Sequence, residues 1–364
     1  MGMAKRAKVR VVKGMASVEL TRDEFARRYR QRFADPLFDS VADEIDAITA
    51  VAWQSYIDYH KAPRTARAGK GFADPDYELS VEWRAARDAV RRAERVQKDP
   101  KSPSRILVIN GSARTDQSCP GEMSKTFRLA EIVRETIERN AGFEVDLLDL
   151  SRLASEYGRV IYPCKACVST AQPLCHWPCS CYPNHALGQT QDWMSEIYPR
   201  WVAAHGVLIV TPVNWYHVPS ALKLMIDRLV CADGGNPDPT STQGKNPKLA
   251  KKMELEGWDY PKHLSGRAFA VVVHGDAAGA EETRRALCDW LTSMQLIQAG
   301  SSGALDRYVG YYEPYATSHD ALDRDEAFRH EVRNAALSLV ETVREIRSGN
   351  YRRPDDQLES LRKK

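Results

Sequence analysis

From Arg105 onward, short and wholly apolar runs alternate with longer stretches of helical spacing, and this restricts the fold more than any other feature. Ile106-Leu-Val-Ile109 contains no polar residue. A half-exposed strand would alternate apolar and polar side chains, so this run predicts a strand buried on both faces. Further strands are expected over Glu144–Leu150, Val207–Thr211 and Ala268–His274, with a short fifth near Leu296–Ser301. Helices are expected over Lys125–Asn140, Gln191–Ala204, from Pro219 onward, over Ala280–Gln295 and, last and longest, over Ala321–Arg347. Parallel strands need long crossover connections, and helices supply them while covering both faces of the sheet. The alternation therefore predicts an α/β domain with a five-stranded, doubly wound parallel sheet.

The first hundred residues have a different pattern. Thr21-Arg-Asp-Glu24 matches a capping box, in which the Thr and Glu side chains each satisfy the other's backbone donor. Phe25, Tyr29 and Phe33 follow at helical spacing. A second helix is expected after Asp35-Pro36, with Phe38, Val41, Ile45, Ile48 and Ala52 on one stripe, and a polar loop over Ala62–Glu78. A third helix runs from Val81 to Gln97 with Ser80 as its N-cap. Lys98-Asp-Pro-Lys-Ser-Pro-Ser104 reads as a linker. The expected organisation is a basic tail over 1–16, a helical extension over 17–100, the α/β domain over 101–349 and a tail over 350–364.

Charge and hydropathy narrow the function. Lys+Arg 52 against Asp+Glu 49 leaves +3, without the basic excess of a chain held to nucleic acid by phosphate contacts. No apolar run approaches the ~20 residues that cross a bilayer. Lys5, Arg6, Lys8, Arg10 and Lys13 are not followed by an apolar secretory core, so a cytoplasmic location is expected. No nucleic-acid or membrane partner is expected.

In open α/β sheets, ligands bind beyond the carboxyl ends of the strands. The first such loop begins Asn110-Gly-Ser-Ala-Arg114 and ends Ser124-Lys-Thr126 at a helix start. It matches neither a Walker loop nor G-x-G-x-x-G, so neither a nucleoside triphosphate nor a tightly held dinucleotide is favoured. Hydroxyls of Ser112, Ser124 and Thr126, the charges of Arg114 and Lys125, and the helix N-terminus suit a phosphate. The third loop reads Thr211-Pro-Val-Asn-Trp-Tyr-His-Val-Pro219, followed by Leu222-Lys223 and Ile226-Asp-Arg228. Gly111-Ser112-x-Arg114, Thr211-Pro212 and Pro219-x-x-Leu222-Lys223-x-x-Ile226-Asp227-Arg228 together resemble the NAD(P)H-dependent FMN reductase family over about Arg105–Gly300. The resemblance implies a flavodoxin-like fold. It also implies an FMN phosphate on Ser112, Arg114, Ser124, Lys125 and Thr126, and an isoalloxazine against Pro212, Val213, Asn214 and Trp215. His274 and Gly275, at the end of the fourth strand, are expected to line the same site. Asp227-Arg228 reads as a structural ion pair or a helix-end contact.

Eight cysteines are present, and five fall between Cys164 and Cys181. That family includes iron–sulfur flavoproteins, whose cysteine run in this region binds a [4Fe–4S] cluster. The run here is Cys164-x2-Cys167, then Cys175-x3-Cys179-x-Cys181, with Thr170 at the third ligand position. Four readings stay open: a cluster on Cys164, Cys167, Cys175, Cys179 and Cys181; zinc completed by His176 or His185; thiols exchanging electrons with flavin; and packed, reduced thiols. Cys119, Cys231 and Cys288 have no partner spacing.

The resemblance implies an FMN-dependent NAD(P)H oxidoreductase. A hydride would pass through bound flavin to a small acceptor such as a quinone, a nitro or azo compound, or free flavin. NAD(P)H would be a co-substrate and the protein a homo-oligomer. An iron–sulfur flavoprotein passing electrons to a partner is the alternative.

Overall fold

A computed structural model describes residues 18–117, 124–314 and 317–353. The expected basic tail over 1–16, Cys119 and residues 354–364 of the expected C-terminal tail lie outside these. The chain forms two compact units, divided after Lys61.

The described residues up to Lys61, with His185–Gly188, form the smaller unit. It holds helix α1 (Arg22–Arg30) and helix α2 (Ala42–Ile57), joined by short 3-10 turns. Thr21 Oγ1 accepts from the Glu24 N–H at 3.3 Å. The Glu24 carboxylate turns instead to Arg27 and Arg28, so the reciprocal half of the capping box is not made. Phe25 packs on Tyr29, Trp53 and Tyr56, with ring centroids 5.0–5.7 Å apart. The expected α2 stripe is not buried: Ile48 is 50% exposed, and Thr49 is the buried residue of that helix.

The larger unit comprises Ala62–Asn184 and the chain from Gln189 onward. The expected loop over Ala62–Glu78 carries an antiparallel ribbon, β1 (Thr65–Arg67) with β2 (Glu78–Ser80). Helix α3 (Val81–Lys98) follows, and Ser80 Oγ accepts from the Trp83 N–H at 3.3 Å. Trp83 Nε1 donates to Pro178 O at 2.8 Å, and Val90 and Ala93 join the core of the α/β domain. Residues 62–100 therefore pack with that domain rather than with the first two helices, and the boundary expected near residue 100 does not coincide with the division after Lys61.

The sheet contains β3 (Ser104–Asn110), β4 (Phe143–Asp149), β5 (Gly206–Pro212), β6 (Ala268–Gly275), β7 (Ile297–Gln298) and β8 (Ala304–Tyr308), all parallel. The order is β4-β3-β5-β6, and β7 and β8 share the far edge of β6. The fifth sheet position is thus a broken strand. Only Ile297–Gln298 of the expected Leu296–Ser301 strand pairs, and Ala304–Tyr308 continues the edge. Gly300, at φ +63°, and Gly303 turn the chain between the two pieces. Side chains alternate between two cores as the pleat requires. Leu107, Ile109, Val207, Ile209, Phe269 and Val271 face helices α6 (Met194–Ala203), α7 (Ser220–Arg228) and α9 (Ala280–Ser293). Ile106, Val108, Leu208, Val210, Ala270 and Val272 face α4 (Lys125–Glu138) and α11 (Glu326–Arg347). One-turn α5 (Arg152–Ser155), α8 (Pro247–Leu255) and α10 (Ser318–Arg324) complete the unit. The expected last helix is interrupted at Asp325, whose carboxylate caps α11 by accepting from the Phe328 N–H at 2.9 Å. Pro219 caps α7 rather than opening it.

The expected linker is held in place. Arg347 donates to Ser102 O at 2.8 Å, to Ser104 Oγ at 2.9 Å and to Asp99 O at 3.1 Å.

Candidate functional site

The switch point lies where β3 is flanked by β4 on one side and β5 on the other. A cleft of about 360 Å³ opens there, lined by Ser112, Ala113, Arg114, Ser124, Lys125, Thr126, Pro212, Val213, Asn214, His274, Gly275 and Asp276. Ten of the eleven residues expected from sequence to hold the cofactor meet in this one cleft; Trp215 is not among its lining residues. Ala113 and Asp276 were not expected. Asp276 follows β6 directly, so the same strand-end argument that selected His274 and Gly275 would have found it.

Local structure explains the convergence. Gly111 crosses Thr211 and Leu222 so closely that a Cβ would lie 2.9 Å from the side chains of both. That approach seats the first loop on the third. Asn110 Oδ1 accepts from the Ser112 N–H at 3.2 Å, and Ser112 Oγ from the Arg114 N–H at 3.0 Å, which fixes the turn. Ser124 caps α4, its Oγ accepting from the Phe127 N–H at 3.4 Å. The cleft thus meets the positive end of a helix dipole. Lys125 reaches across the sheet, its buried ammonium 3.2 Å from an Asp276 oxygen and 3.3 Å from Val309 O. Thr126 Oγ1 and His274 Nε2 are 2.8 Å apart and buried. Burial, and secondarily the Lys125 ammonium, pushes the His274 pKa down to about 3, so the imidazole is neutral near pH 7.

Trp215 and Tyr216 form the tip of the third loop. Asn214 and His217 bond each other's backbones on either side, and both tip residues have positive φ, +48° and +66°. Non-glycine residues there store strain that the surroundings must over-determine. Gly279, at φ +87°, supplies room: a Cβ on it would lie 2.9 Å from Tyr216 Cα. Trp215 is 93% exposed.

A second cavity of about 320 Å³ adjoins the first through Arg114 and Ser124, and Asp149, Ser151 and Arg152 also line it. Arg228 does not pair with its neighbour Asp227, which pairs with Lys223. It forms a buried fork with Asp192, at 2.6 and 3.1 Å, and donates to Tyr162 O at 2.9 Å. The expected Asp227–Arg228 pair is therefore not formed: each residue pairs elsewhere.

Four of the five clustered cysteines, Cys167, Cys175, Cys179 and Cys181, gather around the Lys245 ammonium. Among the described residues, no three or more His, Cys, Asp or Glu side chains are disposed to hold a metal ion. Cys164 lines a separate cavity with Ile226 and Trp290. His176, expected as a zinc partner, has Nδ1 2.6 Å from Ser180 Oγ. Cys167 Sγ and Cys181 Sγ lie 3.5 Å apart, and Lys245 Nζ is 3.7 Å from Cys167 Sγ. The Cys181 contact, aided by Lys245 and opposed by burial, pulls Cys167 down to about 6. Burial pushes the Cys175 thiol up, and contact with Cys181 together with burial does the same for Cys179.

A doubly wound parallel sheet, with a cleft of hydroxyls and cations at its switch point, defines a flavodoxin-like protein built to hold a phosphate-bearing cofactor. The chain belongs to the NADPH-dependent FMN reductase family, whose sequence profile matches residues 104–309. An iron–sulfur flavoprotein from Methanosarcina thermophila is 29% identical over 127 residues, covering 35% of this chain. The match spans about half, 52%, of that relative's length. Among solved structures, RosB with a bound 8-demethyl-8-formylriboflavin-5'-phosphate intermediate is 14% identical, with a TM-score of 0.47 over 68% of this chain and 81% of that one. A WrbA-like flavodoxin from Agrobacterium tumefaciens is 11% identical, with a TM-score of 0.34 over 67% of this chain and 99% of its own. Among the described residues, no helix is long and apolar enough to cross a membrane.

Proposed function

We propose that the chain is an FMN-dependent NAD(P)H oxidoreductase that reduces a small acceptor such as a quinone, a nitro or azo compound, or free flavin. The observation that carries this reading is the convergence of Ser112, Arg114, Ser124, Lys125 and Thr126 with Pro212, Val213, Asn214, His274 and Gly275 in one cleft. The donor set suits a phosphate ester: hydroxyls, a guanidinium and an ammonium at a helix N-terminus. The apolar Pro212–Val213 wall suits a planar ring, whose edge the backbone of this loop can address. FMN, when bound, supplies the hydride-accepting and hydride-donating centre. Arg114 and the α4 cap orient the phosphate, and the loops after β5 and β6 hold the ring end. Neutral His274 keeps Thr126 positioned without adding a charge.

The same reading places the protein in the cytoplasm, as a homo-oligomer. Seven free cysteines among the described residues support the first point. Apolar side chains exposed on the smaller unit, such as Leu37 and Val51, support the second.

The test is FMN titration of purified protein by flavin fluorescence, followed by anaerobic mixing with NADH or NADPH. Micromolar or tighter FMN binding and bleaching of the flavin band are expected. Arg114→Ala should weaken FMN binding about tenfold or more, the loss of one charge-assisted contact. Wild-type protein that takes up no FMN would refute the reading.

A further inference from the structure

Two sulfurs of the cysteine segment are placed for thiol redox chemistry. Cys167 opens a short 3-10 turn, and Cys181 lies 14 residues further along the same cover loop. Their Sγ atoms are 3.5 Å apart, at van der Waals contact and unbonded. The walls that hold them are fixed from outside. The Asn236 N–H donates to Cys175 O at 2.7 Å, the Trp177 N–H donates to Asn236 O at 2.9 Å, and Pro178 O takes the Trp83 indole. The Lys245 ammonium lies 3.7 Å from Cys167 Sγ and is anchored on Leu174 O at 2.7 Å. A thiolate is the nucleophile in thiol redox chemistry, and a fixed cation beside a sulfur favours it. Cys167 is partly exposed and Cys181 is buried, which assigns their order: the reachable sulfur reacts first and the buried one resolves.

We propose that Cys167 and Cys181 form a dithiol–disulfide couple oxidised by hydroperoxides. The Cys167 thiolate attacks a peroxide oxygen, the O–O bond breaks, and Cys167 becomes a sulfenic acid as hydroxide leaves. The Cys181 sulfur then attacks the Cys167 sulfur. The S–O bond breaks, an S–S bond forms, and the Cys181 proton leaves with the departing oxygen as water. Two electrons pass from the thiol pair to the peroxide. A small dithiol returns them and restores both thiols. The inference is independent of which donor and acceptor use the flavin cleft.

The test uses the full chain, purified anaerobically and treated with hydrogen peroxide at one equivalent. The expected result is loss of two thiols per chain, a mass decrease of about 2 Da, and a Cys167–Cys181 cross-link in the peptide map, all reversed by dithiothreitol. Cys181→Ser should instead leave a dimedone-reactive sulfenic acid on Cys167, while Cys164→Ser should cross-link as wild type does. The map of the wild-type chain decides the matter even if a variant fails to fold. A cross-link joining Cys179 to Cys181, no internal cross-link, or stoichiometric iron and sulfide released from these thiols would each overturn the proposal.

Discussion

The buried Arg228–Asp192 fork permits a quantitative test of how this fold treats charge. The Arg228 side chain is 0% exposed and that of Asp192 2%. Both nitrogens of the fork are used, at 2.6 and 3.1 Å, and the guanidinium stacks 4.8 Å from the Tyr182 ring. Asp192→Ala leaves the arginine buried with Tyr162 O as an acceptor but without a counter-charge. Removing one partner of such a pair costs about 3–5 kcal/mol. Two charge-assisted hydrogen bonds at about 1.5–3 kcal/mol each give about 3–6 kcal/mol, which overlaps that range. Replacing both partners by apolar residues, Arg228→Met with Asp192→Leu, removes the stranded charge and should recover most of the loss. Urea unfolding of the wild type, Asp192→Leu, Arg228→Met and the double variant, followed by tryptophan fluorescence, closes a double-mutant cycle. The expected coupling is at least ~2 kcal/mol. Additive single losses, or an Asp192→Ala cost below ~1 kcal/mol, would refute the idea that burial of an unpaired charge governs this site.

Stability should fall with acid from pH 6.5 downward. His274 is held to about 3 and His205 to about 4, both chiefly by burial, so below 6.5 the unfolded chain binds protons that the native one refuses. At pH 5 this costs about 2 kcal/mol for each histidine, and the pH slope of urea midpoints should flatten in His274→Gln and His205→Gln. Gly279→Ala should lower Tm more than Gly257→Ala. Both glycines have positive φ, but a Cβ at 279 meets Tyr216 Cα at 2.9 Å, whereas at 257 nothing lies within 4 Å. Equal losses would show that backbone strain alone, about 1–3 kcal/mol, decides both.

The central strands were legible because Ile106–Ile109, Val207–Val210 and Ala268–Val273 are buried on both faces, and burial of that kind writes continuous apolar runs. The edge was less so. Ala304-Leu-Asp-Arg-Tyr308 has one fully protected flank, and Asp306 and Arg307 spend their side chains on Arg284 and Glu331. Most residues of the cleft were found from a topological rule, since loops at strand ends must meet. Side-chain destinations were not found that way. Adjacency suggested Asp227 for Arg228, but the true partner lies 36 residues upstream. Lys125 reads as part of a phosphate loop, yet it spans to Asp276, 151 residues away. Trp215 was expected beside a ring, and nothing local announces a turn that needs positive φ at Trp and Tyr. Long side chains choose partners by three-dimensional proximity, which spacing along one chain does not encode.

The clasp of Arg347 on the segment before β3 sets an order on synthesis. Ser102 precedes β3, a central strand of the sheet, and Ser104 opens it, but the side chain that fixes them is made more than two hundred residues later. Until that residue leaves the ribosome, the first central strand has its neighbours but lacks the clasp on its lead-in segment. A nascent domain of this kind is completed from its last helix. Premature termination before α11 would leave the lead-in to β3 unsecured and would also uncover the sheet face on which Val332, Leu339 and Val343 pack.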